Sequence, residues 1–287
     1  MKERGISALL LVTALGALVA LGLITYFIFQ AGVPLIARVG LWEFLTGTSW
    51  SPTSSPPRFG ILPMIVGSLW LTFGSLVIGV PLGLAVAIFM VELAPPRLAL
   101  VMRPAIQLLA GIPSVIYGFI GLTLLAPLIR ATFGGPGLSV LTGAIILGFM
   151  ILPSIIAISE DAMRAVPNSI REGAVALGST HWQVIIGVIL PTARSGIIAA
   201  VILGMGRALG ETMAVIMMIG NSLDIPLSPL QPATTLTSNI GLELAYASGA
   251  HREALFATGV VLFIFIMILN GLATAFVRRP TFSRSSS

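Results

Sequence analysis

The chain has 287 residues, of which 56% are hydrophobic and only 9% are charged, and its formal net charge is +5. Soluble globular domains carry about 25% charged residues, so this composition excludes an ordinary soluble domain and indicates a membrane protein. The absence of cysteine excludes disulfides and thiolate chemistry. The two histidines, His181 and His251, lie too far apart to predict a metal site, and we expect no cofactor.

Hydropathy predicts an all-α membrane protein with six transmembrane helices. Each apolar stretch supplies the ~20 residues that a membrane-spanning helix needs. The first stretch exceeds the ~7–15 residues of a signal-peptide core, so we expect an uncleaved anchor. The predicted spans cover residues 6–31, 65–93, 98–129, 138–159, 195–220 and 254–277.

The distribution of cations predicts the orientation of these helices. Most of the 15 Lys and Arg residues fall on the side of the N-terminus, and the positive-inside rule therefore places both termini in the cytoplasm. The net charge of +5 is then a topology signal and gives no reason to expect a nucleic-acid partner. Residues 32–60 and 221–252 are predicted external loops, the first with tryptophans suited to the membrane interface.

The third predicted span is overlong and contains three prolines, so we expect it to be kinked or to begin late. Within it, Pro113, Ser114 and Tyr117 lie close together. Pro113 frees a backbone carbonyl that Ser114 or water could satisfy. These three residues are a candidate gate hinge, although a kink that serves only packing would have the same sequence.

A polar island separates the fourth and fifth predicted spans. Its spacing, E-x-A-x3-G-x9-V-x-L-P, begins at Glu172 and ends at Pro191. We expect one or two short amphipathic helices at the membrane surface, a tight helix end at the glycine, and a change of direction at the proline before the fifth span. Such a thin projection suits docking into a partner, while the alternative is an ordinary surface loop. The candidate docking residues are Glu172, Ala174, Gly178, Leu190 and Pro191.

The fifth predicted span contains two charged residues, Arg207 and Glu211, which a continuous helix would place one turn apart near its middle. A charge there costs about 2.5–3.5 kcal/mol on insertion scales, so such residues usually face a cavity or a partner. A guanidinium matches an oxyanion well, which makes the pair a candidate part of a transport path. A pair that only locks helix packing is the alternative.

The chain cannot encode its own P-loop ATPase. A P-loop requires a lysine after its glycines, and Lys2 is the only lysine in the chain. If transport is driven by ATP, the ATPase is a separate polypeptide and the chain itself is not a hydrolytic enzyme.

Several motifs together resemble the PstC-type permease subunits of bacterial phosphate ABC importers. The polar island resembles the EAA coupling loop of importer permeases, with Gly173 and Val188 departing from the commonest residues. The fifth span continues after Glu211 with Thr212 and a Met-Ala-Val ending, which is similar to the phosphate-type permeases. The resemblance runs from about residue 59 to the end of the sixth span, and its further marks are the segments at 109–118 and 234–240.

The resemblance implies a type I importer permease fold that acts in the bacterial cytoplasmic membrane. It also implies partners: a PstA-type second permease subunit, two copies of a PstB-type ATPase, a PstS-type periplasmic phosphate-binding protein and membrane lipid. Arg207, Glu211 and Thr212 would belong to the substrate path. Residues 1–60 would form an anchor helix and a periplasmic loop, 61–278 the permease core with its coupling loop at about 160–191, and 279–287 a cytoplasmic tail.

Three alternatives remain. The same architecture could carry another oxyanion, such as sulfate or molybdate. A secondary transporter could use Glu211 to carry protons. An intramembrane enzyme is the weakest alternative, since the predicted spans contain neither a pair of acids nor a histidine from which a catalytic dyad could be assembled.

Overall fold

The computed structural model describes residues 2–277, and the predicted tail at 279–287 lies outside the described residues. The described part of the chain is mostly helical, with one short hairpin. Its elements are α1 (Lys2–Val39), α2 (Leu41–Thr46), β1 (Trp50–Ser51), β2 (Arg58–Phe59), α3 (Leu62–Ile88), α4 (Pro96–Gly111), α5 (Ser114–Ile120), α6 (Ala126–Phe133), α7 (Val140–Arg164), α8 (Asn168–Ala176), α9 (His181–Val184), α10 (Leu190–Gly210), α11 (Met213–Met218), α12 (Leu236–Glu243) and α13 (Gly249–Val277). Three π-helical turns extend or join these helices, at Phe89–Leu93, Gly121–Leu125 and Ile185–Ile189.

Six helical stretches in the described part of the chain are long and apolar enough to cross a membrane, as predicted. Their bounds are Leu9–Val39, Leu62–Leu93, Ser114–Phe133, Val140–Arg164, His181–Gly210 and Gly249–Gly271. The third begins late, at Ser114, because the chain breaks at Pro113 and the preceding residues form the separate α4. α7 lies at the centre of the bundle and packs along both α3 and α10.

The fifth membrane helix begins at His181 instead of residue 195, and it continues without interruption through Pro191. The predicted change of direction at Pro191 is therefore wrong. A membrane helix tolerates proline where a local π-helical adjustment satisfies the backbone groups that proline leaves free. Pro191 occupies such a position, since it follows the π-helical turn Ile185–Ile189, where the N–H of Leu190 bonds to the carbonyl of Ile185.

The fifth crossing is also discontinuous. α10 ends at Gly210, and Gly204 in this helix packs against Ile151 and Ile155, at the middle of α7. The short α11 completes the crossing, because the carbonyl of Met218 accepts a hydrogen bond from the N–H of Ser139, just before α7 begins. The break between α10 and α11 therefore lies inside the crossing, between the level of Gly204 and that of Met218.

The polar segment before α12 is buried within the bundle, although it was predicted to belong to an external loop. Four of its residues, Thr234, Thr235, Ser238 and Asn239, are at most 3% exposed. Thr235 and Ser238 form a capping box at the start of α12, and the N–H of Leu236 donates to the Ser68 hydroxyl on α3. These mutual hydrogen bonds allow a polar sequence to be buried.

The second half of α1 and the segment that follows it, up to residue 61, pack against the last two helices. α1 runs along α13, where Phe27 and Phe256 make an edge contact with ring centroids 5.5 Å apart. The indole N–H of Trp50 donates to the carboxylate of Glu243 (3.0 Å) at the end of α12, and His251 approaches the same carboxylate at 2.6 Å. A buried apolar cluster completes this interface, formed by Leu35, Phe44, Trp50, Phe59, Ile61, Met64, Leu236, Ala254, Leu255 and Ala257.

Candidate functional site

The predicted site residues Arg207 and Glu211 flank the break in the fifth crossing. Arg207 lies in the last turn of α10, and Glu211 follows the end of this helix with an extended backbone (φ −70°, ψ 126°). The prediction that both lie one turn apart on a continuous helix is therefore wrong. Arg207 lies within the helical stretch His181–Gly210, and Glu211 directly follows it.

Glu211 faces α11 and not Arg207. Its carboxylate accepts a hydrogen bond from the N–H of Ala214 (3.1 Å), in the first turn of α11. An acidic group at this place satisfies a free backbone N–H and complements the positive end of the helix dipole. The described residues contain no ion pair between Glu211 and Arg207.

Arg207 is exposed and lines a cavity of about 620 Å³ between α7, α10 and α13. It is the one charged group among the described residues that line this cavity. Hydrogen-bonding groups on the opposite walls come from Ser154 of α7 and from Asn270 and Thr274 of α13. A permanent cation next to neutral polar groups gives the cavity the character of a weak anion site.

Thr212, the third predicted residue of the path, lies within the break, and its hydroxyl donates to the carbonyl of Gly210 (3.3 Å). Thr237, to which no sequence motif assigned a role, donates its hydroxyl to the backbone carbonyl of Glu211 (3.0 Å). Helix ends leave carbonyls without partners. Thr237, in the buried part of α12, supplies such a partner and thereby stabilises the break. The resemblance at 234–240 marked this segment but could not place it beside Glu211.

The candidate gate residues lie at the break between α4 and α5. Pro113 lacks an N–H, so the carbonyl four residues earlier, that of Leu109, has no regular helical partner. The hydroxyl of Tyr117 donates to this carbonyl (3.0 Å). Ser114 or water was suggested as the partner of this carbonyl, and the structure shows Tyr117 in that role instead. Tyr117 also lies within electrostatic range of Arg207.

The helix that carries the candidate gate residues packs directly on α11. At Gly118 in α5, an added Cβ would lie 2.8 Å from the Cα of Ala214 and 3.0 Å from the sulfur of Met217, both in α11. Only glycine permits two backbones to approach this closely. α5 and α11 are therefore packed tightly enough to move together.

The polar island forms the predicted projection, which we call the knob (α8 and the turn up to Thr180). Gly178 adopts φ +84° after the end of α8. Its N–H bonds to the carbonyl of Val175, and the N–H of Ser179 bonds to that of Ala174. This pair of hydrogen bonds is the Schellman motif, in which a left-handed glycine ends a helix. The tight helix end predicted at Gly178 is confirmed.

The outer face of the knob is exposed and largely apolar. Leu177 is 89% exposed and Val175 is 58% exposed, and Glu172 is exposed beside them with no hydrogen bond or ion pair in the described part of the chain. Ala174 and Leu190 instead lie half-buried against an apolar cluster at the base of the knob. Pro191 is exposed in the first turn of α10, so Leu190 and Pro191 belong to the membrane helix behind the knob.

Two groups of ion pairs at this end of the bundle were not predicted. Glu160 in α7 accepts hydrogen bonds from Arg103 (2.7 Å) and Arg164 (3.0 Å), and Glu92 pairs with Arg171 of the knob (2.5 Å). Arg171 directly precedes Glu172 in the sequence motif, and this position was the one feature of the sequence that could have drawn attention to Arg171. Its partner could not be found from sequence because it lies on α3's extension, far away along the chain.

Comparison with known proteins identifies the family to which this chain belongs. Residues 79–281 match the sequence model of the "Binding-protein-dependent transport system inner membrane component" family. A probable ABC transporter permease protein, YqgH of Bacillus subtilis, is 46% identical over 260 residues, which is 88% of this chain and 84% of that protein. The phosphate transport system permease protein PstC of Mesorhizobium japonicum is 38% identical over 287 residues, covering 93% and 87% of the two chains.

Solved structures of importers share the fold. A chain of a bacterial transporter that imports alginate superposes with a TM-score of 0.69 at 17% identity, covering 98% of this chain and 97% of that one. A chain of the inward-facing MetNI methionine ABC transporter gives a TM-score of 0.59 at 21% identity, with 74% and 92% covered. The predicted fold class is therefore confirmed: an all-helical, multi-pass membrane protein with the type I ABC importer permease fold.

Proposed function

Because this chain belongs to the binding-protein-dependent transport system inner membrane component family, we propose that it is a permease subunit of an ATP-driven importer that moves inorganic phosphate across the cytoplasmic membrane. Several relatives that are 34–38% identical over most of the chain are phosphate transport permeases. Their substrate is the first support for phosphate. The phosphate-type ending of the fifth span, from Thr212 onwards, is the second.

The structural observation that carries this proposal is the placement of Arg207. It lies one turn before a break in a membrane crossing and lines a cavity with neutral polar groups. Transporters commonly build substrate sites from discontinuous helices near the midplane of the membrane. A cation there is costly, and the described residues give Arg207 no counter-ion, so a passing oxyanion would offset part of that cost. Forked N–H donors suit the oxygens of phosphate.

Glu211 and Thr212 would shape the same passage. The Glu211 carboxylate sits close to Arg207 in sequence but bonds to the start of α11. Its negative charge would keep anion binding weak, so that phosphate can leave. Its engagement in a cap also argues against a proton carrier, since protonation would weaken a bond that stabilises the break. We therefore favour an ATP-driven path over proton coupling.

The knob would transmit the work of ATP hydrolysis. Glu172 and Gly178, with the exposed face between them, would enter a cleft of a PstB-type ATPase, of which two copies serve the complex. The cation distribution supports a cytoplasmic position for the knob and for both termini. A PstA-type subunit would complete the membrane passage, and a PstS-type protein would deliver phosphate from the periplasm.

Pro113, Ser114 and Tyr117 would form the hinge of a gate beside Arg207. The hinge is the break between α4 and α5, and α5 packs on α11 through Gly118. A movement of α5 would therefore displace α11 and change the opening at Arg207. Ser114, half-buried at the break, would remain free to bind water or substrate during that movement.

Uptake of labelled phosphate into proteoliposomes tests the proposal. They would contain the chain with its co-purifying subunits, ATP inside and the binding protein outside. We expect uptake that requires ATP and resists excess sulfate and molybdate. An assembled complex that hydrolyses ATP in response to the binding protein but imports no phosphate would overturn the substrate. Uptake that survives ATP depletion but stops with an uncoupler would overturn the importer mechanism.

A further inference from the structure

Arg171 makes the knob's polar attachment to the membrane helices. Its Nη1 donates to the Glu92 carboxylate (2.5 Å), in the π-helical turn that ends the second membrane helix. Its Nη2 donates to the backbone carbonyl of Met163 (2.6 Å), in the last turn of α7. One guanidinium therefore joins three elements: the knob, the second membrane helix and the fourth.

Little else attaches α8 to the bundle. All of its residues are exposed except Arg171 and Ala174, which are half-buried and lie three positions apart on one face. Ala174 contributes a single methyl group to the apolar cluster at the base of the knob. Because α8 has no fully buried residue, its orientation depends on the hydrogen bonds of Arg171 more than on apolar packing.

The pair is shielded from water, unlike the other ion pairs nearby. The side chains of Arg171 and Glu92 are 20% and 6% exposed, whereas Arg103 and Arg164 are 43% and 44% exposed where they bond to Glu160. The Nε of Arg171 is buried with no partner among the described residues. Buried charges of this kind are poorly tolerated once a partner is removed, so Arg171 and Glu92 are held together as a unit.

We propose that Arg171 is a positioning residue for energy coupling: its guanidinium transfers a displacement of the knob to Glu92 and to the end of α7. This rests on the proposed function, because the displacement would come from the ATPase. Glu92 is suited to receive it, since a π-helical turn is a local irregularity at which a helix can shift. The end of α7 extends the effect to the helix that packs on α10, near the break at Arg207.

The test measures phosphate imported per ATP hydrolysed by the complete complex in proteoliposomes. We expect Arg171→Gln and Glu92→Gln each to lower this ratio at least fivefold while ATP hydrolysis continues. The charge exchange Arg171→Glu with Glu92→Arg should recover part of the loss. Arg164→Gln is the matched control, because Glu160 keeps its bond to Arg103, and it should leave the ratio unchanged.

An unchanged ratio in Arg171→Gln, or an equal loss in Arg164→Gln, would overturn the proposal. If the wild type hydrolyses ATP in response to the binding protein but imports no phosphate, the proposed substrate fails. Arg171 can then still be tested, by the stimulation of ATP hydrolysis that the binding protein causes. We expect Arg171→Gln to weaken this stimulation at least fivefold.

A second measurement applies if Arg171→Gln fails to assemble with the ATPase. The chain contains no cysteine, so spin labels can be attached at Ser169→Cys and Leu93→Cys without background. Ser169 lies on α8 and Leu93 is 52% exposed at the end of the π-helical turn. We expect Arg171→Gln to broaden the distance distribution between the labels in the purified chain. A distribution as narrow as in the parent would overturn the proposal.

Discussion

The hydroxyl of Tyr117 donates a hydrogen bond to the backbone carbonyl of Leu109, 3.0 Å away, across the break that Pro113 introduces. The same carbonyl also accepts a longer hydrogen bond, 3.4 Å, from the N–H of Ile112. Tyr117 thus replaces the helical hydrogen bond that proline removes, and it does so reversibly, because a side chain can turn away. We therefore expect the α4–α5 break to exchange between this bonded state and an open one.

Removing this hydroxyl should loosen the break. We expect Tyr117→Phe to destabilise the chain by about 0.5–1.5 kcal/mol, the net contribution of a typical hydrogen bond. The measurement is the thermal unfolding of the detergent-purified complex, together with its rate of ATP hydrolysis without binding protein, which should rise. Tyr26→Phe is the control, since Tyr26 is 65% exposed and bonds to no described residue. Equal effects of both substitutions would contradict the role of the bond.

The contact between α5 and α11 should not tolerate a methyl group. In Gly118→Ala, the new Cβ would meet the Cα of Ala214 at 2.8 Å, and overpacking of this kind costs about 1–3 kcal/mol. We expect a lower unfolding temperature and slower phosphate uptake. Gly111→Ala introduces the same atom where nothing lies within 4 Å, and it should preserve both. A Gly118→Ala complex with wild-type uptake would show that the two helices need not stay this close.

Arg207 should be required for transport and dispensable for assembly. We expect Arg207→Gln to lower uptake by about 10- to 100-fold, because a hydrogen bond to a charged group contributes about 1.5–3 kcal/mol. Arg207→Lys should lose less, since it keeps the charge but not the forked donors. Uptake is compared with that of Arg130→Gln, an exposed arginine at the end of α6. Loss of subunits from the purified Arg207→Gln complex would instead make this residue structural.

Glu172 should control association with the ATPase. We expect Glu172→Arg to reduce the amount of ATPase that co-purifies with the inserted chain, because the exposed carboxylate stands on the face proposed to enter the ATPase cleft. Asp224→Arg makes the same change of charge in the exposed loop that follows α11 and should have no effect. ATPase recovered in wild-type amount with Glu172→Arg would exclude Glu172 from the contact.

The left-handed turn at Gly178 should be needed to hold the knob's shape. Gly178→Ala places a side chain at φ +84°, which costs roughly 1 kcal/mol or more. Gly173→Ala, in the middle of α8 with open space around it, should instead stabilise this helix by about 0.5–1 kcal/mol. We expect co-purification of the ATPase to fall for the first variant and to hold for the second. The opposite order would contradict the role of the turn.

Hydropathy predicted the membrane helices because the length and apolarity of a span follow directly from the thickness of the bilayer. It could not predict that the fifth helix stops after Gly210, since the residues around Arg207 have no helix-breaking sequence stronger than a glycine. It also placed residues 221–252 outside, because a segment rich in Ser and Thr is polar by composition. Its burial depends on the capping box between Thr235 and Ser238, which satisfies those groups internally.

The candidate coupling residues show the same difference between what the sequence could predict and what it could not. Glu172 and Gly178 could be found because their spacing lies within one short motif. The partner of Arg171 could not, because Glu92 is brought to it only when the second and fourth membrane helices pack together. Local patterns thus predicted the exposed surface of the knob, whereas the contacts that fix the knob to the bundle depend on tertiary packing.

The bond between Trp50 and Glu243 bears on where the smallest folded unit begins. The family match starts at residue 79, yet the carboxylate of Glu243 is half-buried between Trp50, Asn239 and His251. A chain shortened to the matched portion would lose the indole donor and the apolar cover of α12 and α13, and lipid tails could replace only the second of these. We expect such a chain to insert into the membrane and then to be degraded. The first helix would therefore be required for the stability of the permease core, although it lies outside the matched portion.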